Sequence, residues 1–191
     1  MTREQWLNEM LIRLYHRVFA PAGIEWEVGT VRVSCSWPGG GSARKRIGEC
    51  WPRSYSSAGR SEIFISPAVD DPVQALDILV HEMIHSSDNC ASGHKGYFRR
   101  VMKLVGLEGK ATASHAGPAL RETLQKIATE APYPHARLDL SARKKQTTRN
   151  IKHECGGCGA VWRMAAVWTV IYCPCCGSDI NEVGQDATDS E

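Results

Sequence analysis

At positions 81–85 the chain reads His81-Glu82-Met83-Ile84-His85, and the residues before it make this pentapeptide helical. Asp71 is a natural N-cap, Pro72 suits the first helical position, and Gln74 completes a capping-box pattern. Val73, Leu76, Leu79 and Val80 follow, so the helix is expected to run to about Ser86. Residues four apart lie about 40° apart around a helix and one turn apart along it, so both imidazoles reach one point. Leu79, Val80, Met83 and Ile84 mark a helix buried on much of its surface. An unpaired Glu and two His on such a helix are costly unless they serve a site.

Two histidines so placed suit one zinc ion. Glu82 is turned about 100° from His81, toward the flank of the metal rather than into its ligand set. There it can take a proton from zinc-coordinated water and pass it to a leaving amine. A catalytic zinc acidifies that water toward a pKa of ~7, and it needs a third protein ligand and one open position. His94 is the candidate: Gly93 permits a tight reversal, and a helix with Phe98, Val101, Met102 and Val105 is expected to start near it. Cys90 lies in the same loop as a rival, although a thiolate would suit water activation less.

A second metal signal lies near the C-terminus. Cys155-Gly156-Gly157-Cys158 and Cys173-Pro174-Cys175-Cys176 are two C-x2-C pairs of the kind found in four-cysteine structural zinc sites. Cys155, Cys158, Cys173 and Cys176 are the expected ligands. Cys175 is the alternative to Cys176, but the glycine after Cys176 favours the wider spacing. Val161 to Arg163 and Val167 to Tyr172 read as the two strands of a hairpin. Trp162, Trp168 and Tyr172 fill a small ribbon core or stack on bases. A deaminase is excluded, because that chemistry wants Glu two residues after His and a P-C-x-x-C run.

Elsewhere, residues 3–20 carry a helical apolar stripe ended by Pro21 and Gly23. Residues 24–37 suggest one or two strands, Gly48 to Trp51 and Glu62 to Ser66 two more, and residues 118–130 a further helix. Cys35, Cys50 and Cys90 read as scattered reduced thiols, and His16, His115 and His135 as ordinary histidines. No run approaches the ~20 apolar residues of a membrane helix, and the N-terminus lacks a signal-peptide pattern. A cytoplasmic protein with no membrane partner is expected.

The net charge of +2 decides nothing, but its distribution does. Arg143, Lys144, Lys145, Arg149 and Lys152 form a basic run without an acidic residue, and no Lys or Arg follows Arg163. The run is a candidate nucleic-acid contact; Arg44, Lys45, Arg46, Arg53 and Arg60 could add to such a surface. The organisation expected is residues 1–140 as a metal-bearing domain, 141–153 as basic linker, 154–180 as zinc ribbon and 181–191 as acidic disordered tail.

The HExxH helix after Asp71-Pro72, Gly93-His94 with Phe98 four residues on, and the terminal cysteine module together resemble the SprT-like family. Its members are similar to Spartan-type peptidases, which degrade proteins crosslinked to DNA. The resemblance spans residues 1–177. It implies an α+β fold with a small zincin-like metallopeptidase domain followed by a β-hairpin zinc ribbon. It also implies zinc at His81, His85 and His94, Glu82 as acid/base, and control by nucleic acid. One departure is Lys95, where the family usually has glycine after the third histidine; it bears on substrate fit near the metal. The expected activity is peptide-bond hydrolysis in DNA-associated proteins, with two zinc ions per chain and DNA, single-stranded or duplex, as partner. The competing expectation is a non-enzymatic nucleic-acid-binding adaptor, which would have no use for Glu82 as a base.

Overall fold

Thr2 opens the first helix, α1 (Arg3–Leu14): its hydroxyl accepts from the Gln5 amide and the Gln5 side chain accepts from the Thr2 amide, a full capping box. Trp6, Leu7, Met10, Leu11 and Leu14 form the buried stripe. The single helix expected over 3–20 instead changes pitch, because Tyr15–Phe19 forms a π-helical turn. The computed structural model describes residues 1–39, 46–135, 138, 151–164, 172–178 and 180–182. The chain divides into two units, Met1–Leu140 and Ser141–Glu191.

In the first unit, β1 (Val31–Cys35), β2 (Gly48–Trp51) and β3 (Ser61–Ile65) form a sheet of order β1-β3-β2. β1 runs parallel to β3, with Val33 opposite Ile63, and β2 runs antiparallel to β3, with Cys50 opposite Ile63. Residues 24–37 thus give one strand. β3 alternates as a half-buried strand should: Ser61, Ile63 and Ile65 point inward. The Asn8 side chain of α1 accepts from Val33 N at 3.0 Å and donates to Val33 O at 2.7 Å. It stands in for a strand neighbour on the free edge of β1, where unpaired backbone groups would otherwise invite pairing.

Helix α2 (Pro72–Ser87) begins where the capping signals place it, with the Asp71 carboxylate accepting from Gln74 N at 2.6 Å; among the described residues the return bond from the Gln74 side chain is not made. α3 (Gly96–Leu104) starts two residues after His94, near where the sequence places it. A hairpin of β4 (Leu107–Lys110) and β5 (Ala113–Ala116) follows, then α4 (Pro118–Glu130). The hairpin carries no apolar alternation and was not expected. α2 packs against the sheet, α1, α3 and α4. Leu76, Leu79, Val80, Met83 and Ile84 join Trp6, Phe19, Ile63, Ile65, Phe98 and Leu124 in one core.

The second unit is a small sheet of β6 (Ile151–Cys155), β7 (Val161–Met164) and β8 (Ile180–Glu182), in the order β7-β6-β8. β7 pairs with β6; the partner strand expected for it at 167–172 falls, apart from Tyr172, outside the described residues. The first cysteine loop is itself the turn joining them. Residues 165–171 lie outside the described residues. β6 takes in Ile151 to His153, expected as linker, and β8 takes in Asn181 and Glu182, expected as tail. The chain is thus a mixed α+β protein with small sheets and a four-cysteine cluster able to hold a metal.

Candidate metal centres

The last turn of α2 and the loop after it build the first centre. His85 O accepts from Cys90 N at 2.7 Å, Asp88 accepts from Ser92 N at 3.0 Å, and Ser92 O accepts from Lys95 N at 3.1 Å. Gly93 adopts φ +52, a left-handed conformation that glycine takes without penalty. The loop curls back over α2 and brings His94 Nε2 to 3.2 Å from both His81 Nε2 and His85 Nε2.

That spacing tests whether an ion fits. Zn–N bonds of 2.0–2.1 Å at tetrahedral angles put ligand nitrogens about 3.3 Å apart. The three ligand atoms lie within 4.8 Å of one another, and Cys90 is not among them. Burial, then the neighbouring histidines, lowers His81 to about 3, and burial followed by His94 lowers His85 to about 4; burial alone lowers His94. All three rings are therefore neutral at neutral pH, with lone pairs free for a cation.

Two features orient the rings. Ser114 Oγ on β5 lies 2.8 Å from His81 Nδ1. Accepting from Nδ1–H, it leaves the His81 Nε2 lone pair pointing at the centre. Phe98, fully buried, closes the floor, its ring centroid 4.9, 4.5 and 5.0 Å from those of His81, His85 and His94. Sequence patterns do not single out Ser114, because the hairpin that presents it has no periodic signal.

Glu82 is only 6% exposed, and no hydrogen bond to its side chain is seen among the described residues. Burial above all, then Cys90 and Glu49, raises its pKa to about 8, with Arg46 opposing. A cation in the histidine triad would favour the carboxylate. The room for Glu82 is made by Gly48: a Cβ there would sit 2.5 Å from Glu82 Oε1 and 2.5 Å from Ile78 Cγ2. A cleft of about 660 Å³ runs past these groups, lined by β2, α2, His94 and β5. It also takes in His115 and Cys50, which the sequence leaves as an ordinary histidine and thiol.

In the second unit the two cysteine loops are near copies. Cys155 N donates to Ala160 O at 2.9 Å and Gly159 N to Cys155 O at 2.8 Å. Cys173 N donates to Ser178 O at 2.8 Å and Gly177 N to Cys173 O at 2.7 Å. Gly159 and Gly177 sit at φ +70 and +72, so each turn requires its glycine. The Sγ atoms of Cys155 and Cys176 are 3.5 Å apart and those of Cys158 and Cys173 3.6 Å. Zn–S bonds of about 2.3 Å would give edges of about 3.8 Å, so four thiolates close round one ion. Cys175 is exposed and outside this group.

Comparison with protein-family models, curated proteins and solved structures finds no match to this chain. Its functional reading therefore rests on these two centres.

The nucleic-acid expectation fares differently. Arg143, Lys144, Lys145 and Arg149 lie outside the described residues, as does Trp168, and Lys152 is placed only as a backbone position in β6. Of the earlier arginines, Arg46 pairs with Glu49 at 2.7 Å and Arg53 approaches Glu27 at 3.7 Å. Tyr172 is 65% exposed, so it is not part of a ribbon core. No helix among the described residues is long and apolar enough to cross a membrane.

Proposed function

We propose that the chain is a zinc-dependent metallopeptidase of SprT-like type, its first unit a small zincin-like domain, hydrolysing peptide bonds in DNA-associated proteins. The observation that carries this reading is the convergence of His81, His85 and His94 on one point with buried Glu82 beside it in an open cleft. A structural zinc would need a fourth ligand, and among the described residues this histidine group has three.

Bound there, zinc supplies a Lewis acid that polarises a carbonyl and acidifies water. The chain's own residues supply the rest. Ser114 and Phe98 hold the His81 ring so that its Nε2 faces the centre. Glu82, buried beside Gly48, lines the cleft; as a carboxylate it would accept the attacking water's proton and return it to the leaving nitrogen. β2 and β5 contribute lining residues to the cleft together with α2 and His94, and the peptide to be cleaved would enter there. The four-cysteine unit, with no open position, is structural. Its exposed Tyr172 and the basic residues of 143–152 are the candidate contacts for DNA.

Cleavage of casein or histone, with and without single-stranded DNA, is the test, using parent and Glu82→Gln protein. The amide keeps the shape but cannot accept the proton. Zinc content should stay and hydrolysis should fall by roughly 10²–10⁴. A parent protein that binds DNA but cleaves nothing would support the adaptor reading instead.

A further inference from the structure

Cys50 on β2 and Cys90 in the loop after α2 are 40 residues apart in sequence, yet their Sγ atoms stand 3.5 Å apart. Cys90 Sγ also lies 3.7 Å from Cys50 O. Neither belongs to the histidine or the cysteine metal group. We propose that Cys50 and Cys90 form an oxidisable dithiol, a modification site whose co-substrate is a hydroperoxide and whose product is an intramolecular disulfide.

Three observations support this. A disulfide needs sulfurs about 2.05 Å apart, so the pair must close by about 1.5 Å, within reach of side-chain rotation. The backbone is also held toward this contact: Asn89 and Cys90 adopt φ 55 and 61, and Cys, unlike Asn or Gly, rarely occupies that region. The conformation is fixed by Arg53 N donating to Asn89 Oδ1 at 2.9 Å and Cys90 N donating to His85 O at 2.7 Å. Strained backbone of this kind marks sites where a side chain is being aimed. Finally, both thiols are partly exposed and line the 660 Å³ cleft, so a small oxidant reaches them.

The chemistry balances within the pair. Cys90, on the loop whose backbone is held at φ 61, is assigned as the attacking sulfur. Its thiolate attacks one peroxide oxygen, the O–O bond breaks, and a sulfenic acid and water form. Cys50 then attacks the Cys90 sulfur, the S–O bond breaks, the S–S bond forms and a second water leaves. Two thiols give up two protons and two electrons, and one hydrogen peroxide becomes two waters. The bond would tie β2, which carries Gly48 against Glu82, to the loop that carries His94. This holds whether or not the triad hydrolyses peptides.

The test uses the full zinc-loaded chain treated with hydrogen peroxide, alkylated, and digested without reduction. Trypsin cuts after Arg46, Arg53, Arg60 and Lys95, which puts Cys50 and Cys90 on separate peptides with no other cysteine. The expected result is parallel loss of both alkylated peptides and appearance of a Cys50–Cys90 linked pair that dithiothreitol resolves. In Cys50→Ser protein, Cys90 should instead be captured by dimedone as a sulfenic acid. Exposed Cys175 serves as the internal standard. Cys50 and Cys90 still fully alkylated once Cys175 is oxidised, or Cys90 linked to a different cysteine, would overturn the proposal.

Discussion

Gly48→Ala places a methyl group where the structure leaves none, and its effect can be worked out in advance. The new Cβ would lie 2.5 Å from Glu82 Oε1 and from Ile78 Cγ2, about 0.9 Å short of the 3.4 Å at which ordinary contact begins. Gly48 does not occupy the left-handed region, so the backbone accepts alanine and the effect is steric alone. Ile78 is 8% and Glu82 6% exposed, so neither is free and both side chains must shift, the Glu82 carboxylate by about 1 Å. Overpacking costs roughly 1–3 kcal/mol, offset by about 0.4–1 kcal/mol from the stiffer unfolded chain. The net cost of about 0–2.6 kcal/mol lowers Tm by up to roughly 10 °C in a unit of this size. A 1 Å misplacement of a catalytic base costs about 10²-fold in rate. Zinc content should not change, because the atoms nearest to the new Cβ belong to Glu82 and Ile78 and not to a histidine. Calorimetry, elemental analysis and peptide turnover read the three effects separately. Gly29→Ala, with nothing within 4 Å of its Cβ, is the control and should be neutral. Unchanged Tm and full turnover in Gly48→Ala would mean that Glu82 is not wedged as described, and the positioning argument would fail.

Ser114→Ala removes the acceptor for His81 Nδ1 and should weaken zinc binding roughly 10–100-fold in a chelator competition, leaving Tm nearly unchanged. Metal-replete protein should contain two zinc ions per chain, and Cys155→Ser should lose one of them while the histidine-bound ion stays. Acid should destabilise the metal-free first unit. His81 and His85, lowered to about 3 and about 4 in the fold, take up protons in the unfolded chain from pH 6.5 downward. Stability is thus fully present above about pH 6.5 and is lost as pH falls toward 4, a trend that pH-dependent denaturant titration checks. Replacing Arg143, Lys144, Lys145, Arg149 and Lys152 with Gln should weaken DNA binding and flatten its salt dependence by at most about four to five in log–log slope; an unchanged slope would make this run a plain linker.

Short-range rules account for what could be read before the fold. The Asp71 cap, Pro72 and the 3.6-residue apolar period place α2, and helix geometry then puts His81 and His85 on one side of it. The C-x2-C spacing and its following glycines similarly locate both cysteine loops, because a metal knuckle closes within six residues. The change of pitch after Leu14 escaped these rules, since packing rather than propensity sets where a helix ends.

Other features exist only in three dimensions. Gly48 makes room for Glu82 from a strand 34 residues earlier, and Ser114 reaches His81 across 33 residues from a hairpin without periodicity. Cys50 and Cys90 meet across 40. In each case a residue of unremarkable local context gains its role from a neighbour distant in the chain. The sequence by itself determined which side chains could bind zinc and which one could move a proton. Tertiary structure alone decided what holds those groups in place, because orientation depends on contacts of a few ångströms that no local pattern encodes.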